Sequence, residues 1–341
     1  MRRLIFASLA ALLLAAAAIG YLWWRPQGEA LVLYCALDYC GDVAQSYQHV
    51  SGKPVEVVRL GTGPLLARVT AEGHHPHWDI AWFDGPEAAE GLAAAGLAMR
   101  GLKLPVAWNR TGLEEQSPDG AYIPSGLTLA GVFVVSRDFA TRAPRTWREL
   151  LRPDLRGGVG MNNPAISGPA LPVLAGLLTQ GGGWPSGQTF VKALRANGLR
   201  VFAKNDATLM ALKSGEIRVA VVQSSAAYYF QHRNPTLQVI LPHPAYDLPS
   251  VMVVSAGLHG QQLTAARQFM QYVLSPAGDR LRSDQGSADS LYWPLTRAPP
   301  PANPLLPNFS GVRLAHLDPV YWGKLEKTLN PWFSRVMGLN Q

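Results

Sequence analysis

Charged residues are scarce in this 341-residue chain, and their scarcity excludes two classes of protein. Asp, Glu, Lys and Arg make up 16% of the residues, whereas hydrophobic residues make up 48%. A disordered chain has the opposite balance, because it cannot bury enough apolar surface to offset the entropy of ordering. The chain has no run of Lys or Arg, so we expect no nucleic acid partner, and its net charge of +7 favours anionic partners only weakly.

The motifs of common catalytic and cofactor sites are also missing. We find no Ser/His/Asp set, no His/Cys cluster at metal-ligand spacing and no phosphate-binding P-loop. His74, His75 and His77 lie in a Pro-containing loop before a strand, which favours a solvated loop over a metal site. We therefore predict no enzyme activity, no cofactor and no resident metal.

Cysteine is limited to Cys35 and Cys40, five positions apart near the end of an apolar strand. Outside the cytoplasm such a pair can close a small disulfide. Two buried thiols are the alternative. The spacing is not C-x-x-C, which argues against a redox-active pair, although a nucleophilic cysteine here would be the one route to an enzyme.

Apolar runs of membrane-spanning length occur only at the N terminus. Residues 4–24 follow Met1-Arg2-Arg3 and provide the roughly 20 apolar residues that a spanning helix needs. The same features suit a secretory signal peptide, while Trp23, Trp24 and Arg25 suit an anchor that stays in the membrane. Both alternatives place the rest of the chain outside the cytoplasm, in the periplasm, either free or tethered to the inner membrane.

Apolar strands alternate with helical segments along most of the chain, which predicts α/β lobes with largely parallel sheets. The long apolar stretch Leu127–Ser136 is predicted to be one strand that crosses between two lobes, and Val251–Ala256 a second crossing. The predicted organisation is a signal peptide or anchor with linker at 1–29, a first lobe from 30–130 and 245–297, a second lobe from 131–244, and a Pro-rich segment with a C-terminal helix at 298–341 that packs on the second lobe.

The stretch from 157 to 178 is the clearest candidate for a binding loop. A short apolar strand ends at Asn162-Asn163-Pro164, and a turn containing Ser167 and Gly168 leads into an apolar helix. We predict that Ser167 caps this helix. The start of a helix leaves backbone N–H groups without partners and attracts anions.

Several motifs in this order resemble the extracellular solute-binding proteins of ABC importers, in particular the branch that binds ferric ion and phosphonates. They are P-x-T-W-x-x-L-L-x-P-x-x-R-G at 144–157, N-P-x-x-S-G at 163–168, R-L-G-T-G-P-L-L-A-R at 59–68 and L-S-P-A-G at 274–278. The resemblance implies a monomeric two-lobed, venus-flytrap protein that closes on a small, anionic solute and delivers it to an inner-membrane ABC permease.

The resemblance also implies which loops contact the solute. The expected ligand-binding residues are Asp38, Gly61, Thr62, Gly63, Asp84, Asn163, Ser167, Gly168, Asn205, Asp206, Gln223, Ser224, Tyr228 and Tyr229. Ferric-ion binders of this family use an adjacent tyrosine pair, so an alternative is ferric ion held by Tyr228 and Tyr229 with a synergistic anion. Another alternative is a membrane-tethered sensor domain.

Overall fold

The computed structural model describes residues 30–299, 302–309, 312 and 314–339. The predicted signal or anchor at 4–24 therefore lies outside the described residues. Among those residues, no helix combines the length and apolar character that crossing a membrane requires.

Strands and helices alternate through the described residues. In chain order the strands are β1 (Leu31–Cys35), β2 (Val55–Arg59), β3 (Ile80–Asp84), β4 (Ile123–Leu129), β5 (Val132–Ser136), β6 (Val159–Asn162), β7 (Arg200–Phe202), β8 (Val219–Val222), β9 (Leu237–Ile240), β10 (Ala245–Val254) and β11 (Leu314–Ala315). The α-helices are α1 (Cys40–Ser51), α2 (Thr62–Glu72), α3 (Pro86–Ala94), α4 (Arg110–Glu114), α5 (Ala170–Gln180), α6 (Gln188–Ala196), α7 (Asn205–Lys213), α8 (Ser224–Arg233), α9 (Gly260–Val273), α10 (Pro276–Ser283) and α11 (Pro319–Met337).

The strands form two separate sheets, one for each lobe. In the first sheet the order is β11-β10-β3-β1-β2, and β4 pairs with β10. The parallel strands β1, β2 and β3 end at one edge, and β10 runs antiparallel to β3 and β4. The second sheet has the order β7-β6-β8-β5-β9, with β6 parallel to β7 and β8. The prediction of a two-lobed α/β fold is confirmed.

The chain passes between the lobes at two places. The prediction of one strand over Leu127–Ser136 is wrong, because this stretch is divided into β4 of the first sheet and β5 of the second. At the break, a Cβ on Gly131 would lie 2.8 Å from the ring of Trp147, so close packing requires a glycine there. The return crossing is the step from β9 to β10, and β10 begins at Ala245, earlier than predicted. The exact residue ranges of the two lobes stay a prediction.

Buried apolar side chains form a core in each lobe. Leu33, Trp82 and Phe269 are buried in the first lobe, and Phe133 and Trp147 are fully buried in the second. The disulfide Cys35–Cys40 joins the end of β1 to the start of α1 beside the first of these cores.

Helix α11 contacts both lobes. Its buried residues Trp332 and Phe333 belong to the core of the second lobe, whereas Gly323 packs against the backbone of α3 in the first lobe. Helix α11 therefore packs against both lobes, whereas the prediction was contact with the second lobe. The helix also continues through Pro331.

We expect Phe333→Ala to lower the free energy of unfolding by about 3–5 kcal/mol, because it removes a fully buried aromatic ring and leaves a cavity. Urea denaturation followed by circular dichroism measures the change. Met210→Ala is the control, since Met210 is 53% exposed on α7 and its truncation should change stability by no more than about 0.5 kcal/mol. Similar effects for the two variants would contradict a core position for Phe333.

Candidate functional site

The two lobes touch where α2 begins and where β6 runs into α5. The backbone N–H of Gly63 donates to the carbonyl oxygen of Ile166, with an N···O distance of 3.3 Å. A Cβ on Gly168 would lie 2.7 Å from the Oγ1 of Thr62. Three expected ligand-binding residues, Thr62, Gly63 and Gly168, thus come together across the lobes, and Gly61 is the N-cap residue of α2.

Buried polar side chains connect the lobes close to the crossings. The Asp84 carboxylate accepts hydrogen bonds from Ser250 Oγ (2.6 Å) and from Gln223 Nε2 (3.0 Å), and Gln223 Nε2 also donates to Thr128 Oγ1 (3.1 Å). Burial raises the pKa of Asp84, while the two hydrogen bonds oppose that rise. Gln223 therefore supplies a second-lobe partner to a buried first-lobe carboxyl group.

The same hydrogen-bond chain continues into the second lobe. The N–H of Gln223 lies 3.5 Å from Asn205 Oδ1, which accepts from Asn162 Nδ2 at 2.7 Å. Asn162 Nδ2 also donates to Ser167 Oγ at 3.2 Å. The prediction that Ser167 caps the helix is wrong, because α5 begins at Ala170 and the Ser167 hydroxyl is held by Asn162 instead.

Helix α8 begins beside this chain with two buried serines. Ser224 Oγ accepts a hydrogen bond from the backbone N–H of Leu129, the last residue of β4, at 2.9 Å. Ser225 is 1% exposed, and its hydroxyl has no hydrogen-bond partner among the described residues. A buried hydroxyl without a partner is uncommon in proteins.

The adjacent tyrosines on α8 lie in different surroundings. Tyr228 is buried, and burial raises its pKa to about 12. Tyr229 is partly exposed, and the Arg233 guanidinium lies 4.5 Å from the centre of its ring. A ferric-ion site needs both phenol oxygens as phenolates, but burial of Tyr228 opposes its ionisation.

Asp38 lies at the exposed edge of the lobe junction. Its carboxylate pairs with Arg59 at 2.9 Å, and its backbone N–H donates to Asp289 Oδ2 at 2.7 Å. Burial, together with the Asp84 and Asp38 carboxylates, raises the pKa of Asp289 to about 8. Asp289 is thus a second carboxyl group with a raised pKa near Asp84.

Two expected ligand-binding residues lie away from these contacts. The side chain of Asp206 is 82% exposed and lies 3.8 Å from Lys204 Nζ. Asn163 Oδ1 accepts from the N–H of Ala165, within its own turn. Asn163 therefore shapes the loop, while Asp206 faces solvent.

A cavity of about 790 Å³ lies next to the lobe contact. Of the expected ligand-binding residues, Thr62, Gly63, Asp84 and Gly168 contribute to its lining, and α3, α5 and α11 form much of the remainder. Its volume falls within the range of about 300–1,000 Å³ that is common for small-molecule sites.

Polar groups that sequence patterns did not indicate line the same cavity. Lys324, Lys327, Glu326 and Asn330 lie on α11, and Glu87 lies on α3. Glu87 Oε2 and Asn330 Oδ1 are buried and have no hydrogen-bond partner among the described residues. Lys324, Lys327 and Glu326 have the spacing expected for the polar face of any amphipathic helix. The sequence pattern therefore does not mark them as part of a binding site.

Burial changes the charge of these carboxyl groups. It raises the pKa of Glu87 to about 8, and the nearby Asp247 and Glu326 carboxylates contribute to the rise. Burial likewise raises the pKa of Glu326 to about 7. Near neutral pH both groups can thus carry protons and donate hydrogen bonds, while the two lysines keep positive charge on the wall.

The helices that begin at the lobe contact add positive potential. At the N-termini of α2, α5 and α8 the cap residue's side chain forms no hydrogen bond with the backbone. Helices α4, α10 and α11, by contrast, are capped by a side chain. The helix dipole at these N-termini favours a negative group.

The fold and this cleft define the class of protein: two α/β lobes, joined by two crossings, that hold a polar cavity between them. The family model for bacterial extracellular solute-binding proteins matches residues 43–297, so the chain belongs to that family. This result confirms the resemblance that the sequence motifs indicate.

Known proteins with similar sequences or folds agree with this assignment. An uncharacterised Haemophilus influenzae protein is 25% identical over 328 residues, which cover 90% of each chain. Iron-bound HitA from Pseudomonas aeruginosa has a TM-score of 0.74 at 19% identity and covers 90% of this chain and 99% of its own. AfuA from Actinobacillus pleuropneumoniae, with fructose-6-phosphate bound, has a TM-score of 0.73 at 18% identity and covers 92% of this chain and 99% of its own.

We expect the stability of the protein to fall as pH rises from about 4.5, the usual pKa of Glu, through about 8, the folded-state pKa of Glu87. In this window the folded state retains a proton that the unfolded state has released. Glu87→Gln should make the decline shallower, as followed by urea denaturation across pH 5–9. Glu56→Gln, at an exposed position of β2, should leave it unchanged. The same decline in the Glu87→Gln variant would contradict a raised pKa.

Proposed function

We propose that the protein captures a small phosphate ester in the cavity between its lobes and delivers it to an ABC permease. Membership of the solute-binding family supports capture of a solute outside the cytoplasm. The observation that carries the proposal is the composition of the cavity wall, which combines cationic groups with buried, unpartnered oxygen atoms.

The cationic part of the wall suits a phosphate group. Lys324 and Lys327 line the cavity, and so does Thr62 at the start of α2, which carries a side-chain hydroxyl. Phosphate oxygens accept charge-assisted hydrogen bonds from such groups, and these bonds are stronger than neutral ones. A simple carboxylate would satisfy fewer of them.

The acidic part of the wall suits hydroxyl groups on the rest of the solute. Glu87 Oε2 and Asn330 Oδ1 are buried acceptors without partners, so each can accept a hydrogen bond from a solute hydroxyl. A solute with a phosphate at one end and hydroxyls at the other matches both parts. AfuA, which has the same fold, has such a solute, fructose-6-phosphate, bound.

Delivery to a permease completes the proposed role. The two crossings and the contact between Gly63 and Ile166 provide the parts of a hinge and a closing interface. We propose that the protein acts in the periplasm as a monomer, and that residues 4–24 export it or tether it to the inner membrane. N-terminal sequencing of the exported protein distinguishes cleavage from tethering.

We expect native mass spectrometry of the protein as isolated to show one bound solute with the mass of a phosphate ester. In calorimetry with fructose 6-phosphate as the probe, Lys327→Gln should weaken binding by about tenfold or more, because it removes a charge-assisted contact. Lys213→Gln, at the exposed end of α7, is the matched control and should bind as the wild type does.

The experiment separates the phosphate ester from its rivals. A neutral solute in the mass spectrum, or equal affinity in the Lys327→Gln and Lys213→Gln variants, would contradict the phosphate proposal. Ferric ion is the alternative, and HitA has iron bound on the same fold. Iron loading should then produce a visible tyrosinate-to-iron band that disappears in Tyr228→Phe.

A further inference from the structure

A histidine and two carboxylates form a compact cluster at the base of α11. Single ligand atoms of Glu115, Asp247 and His316 all lie within 4.8 Å of one another. The three residues come from distant parts of the chain: Glu115 follows α4, Asp247 lies in β10, and His316 follows β11. Parallel pairing sets Tyr246 opposite Ala315, so Asp247 and His316 are neighbours at the next position of the two strands.

The distances within the cluster are short enough for all three side chains to contact the same bound ion. His316 Nδ1 lies 2.5 Å from Asp247 Oδ2 and 3.8 Å from Glu115 Oε1, which is too far for a hydrogen bond. The Glu115 side chain is only 5% exposed, and its Oε1 has no hydrogen-bond partner among the described residues. A buried oxygen atom in this state is uncommon, and a metal ion is one partner that would satisfy it.

The surroundings of the cluster are strongly acidic. Glu115, Asp247 and His316 line a pocket of about 130 Å³ together with Glu87 and Glu114, and its lining contains no Lys or Arg. The carboxyl groups that line the pocket thus face one histidine, His316, and no Lys or Arg.

We propose that Glu115, Asp247 and His316 bind one divalent transition-metal ion of the Zn²⁺ class. Carboxylate oxygens alone would suit Mg²⁺ or Ca²⁺ equally, whereas an imidazole nitrogen favours a transition metal. One ligand atom from each residue gives three protein ligands, and solvent can complete a tetrahedral set because His316 is half exposed.

The ion would join three segments that are distant from one another in the sequence. Strand β10 continues from the crossing between the lobes, α4 belongs to the first lobe, and His316 leads into α11. Helix α11 in turn lines the cavity between the lobes and contacts both of them. The metal would therefore hold the base of α11 against the first lobe, with or without a bound solute.

Calorimetry on the chelator-treated full-length protein tests the site with Zn²⁺ alone as the probe. We expect one Zn²⁺ per chain and a rise in the thermal unfolding temperature when the ion binds. His316→Ala and Glu115→Gln should each lower the affinity by about 100-fold or more, because changes to residues that only support metal ligands already reduce affinity 10- to 100-fold.

Glu115→Gln gives a second readout that a purely structural role would not produce. Without metal it should unfold at about the same temperature as the wild type, because the amide keeps the shape of the carboxyl group, while it abolishes the increase caused by Zn²⁺. This variant keeps the proposal testable if His316→Ala fails to fold.

His74→Ala is the control. His74, His75 and His77 form a histidine-rich segment, and such a segment can bind added Zn²⁺ independently of the proposed site. This variant should retain wild-type affinity for the single site. The proposal is overturned if the wild type does not bind one Zn²⁺ ion per chain. It is also overturned if His74→Ala loses Zn²⁺ binding while His316→Ala keeps it.

Discussion

The buried carboxyl group of Asp84 is the constraint on which the junction of the lobes depends. A carboxylate removed from water is unfavourable unless hydrogen bonds replace its hydration. Ser250 supplies one bond from the first lobe, and Gln223 supplies the other from the second. The hydrogen-bond chain through Asn205 and Asn162 continues from Gln223 to the loop at Ser167.

Helix α11 shapes both of the proposed sites. Its apolar residues bury themselves in the second lobe, and its polar face supplies Lys324, Lys327 and Asn330 to the cavity. The segment that leads into it carries His316, beside Asp247 and Glu115. Glu87 borders both pockets, so the charge state of one carboxyl group affects the solute cavity and the acidic pocket together. A metal ion at the base of the helix and a solute at its middle would thus act on the same element.

Local patterns in the chain predicted much of the fold correctly. Strands such as β1, β3 and β8 are continuous apolar runs between polar loops, and such runs indicate strands buried on both faces. The predicted C-terminal helix is also present, as α11. The break at Ala130-Gly131 was missed because it arises from the packing of the Trp147 ring against Gly131, a contact between residues on different elements.

The sequence was enough to establish the two-lobed α/β class and the family, because both depend on periodicity and on motifs that lie within short segments. It also pointed to Thr62, Gly63, Asp84 and Gly168, which line the cavity in the structure, while their role as ligand-binding residues stays a prediction. The roles of Glu87, Asn330 and Ser225 were decided by folding alone. Each is a polar side chain that becomes significant only because distant elements bury it, and burial is a property of the assembled structure that no local pattern contains.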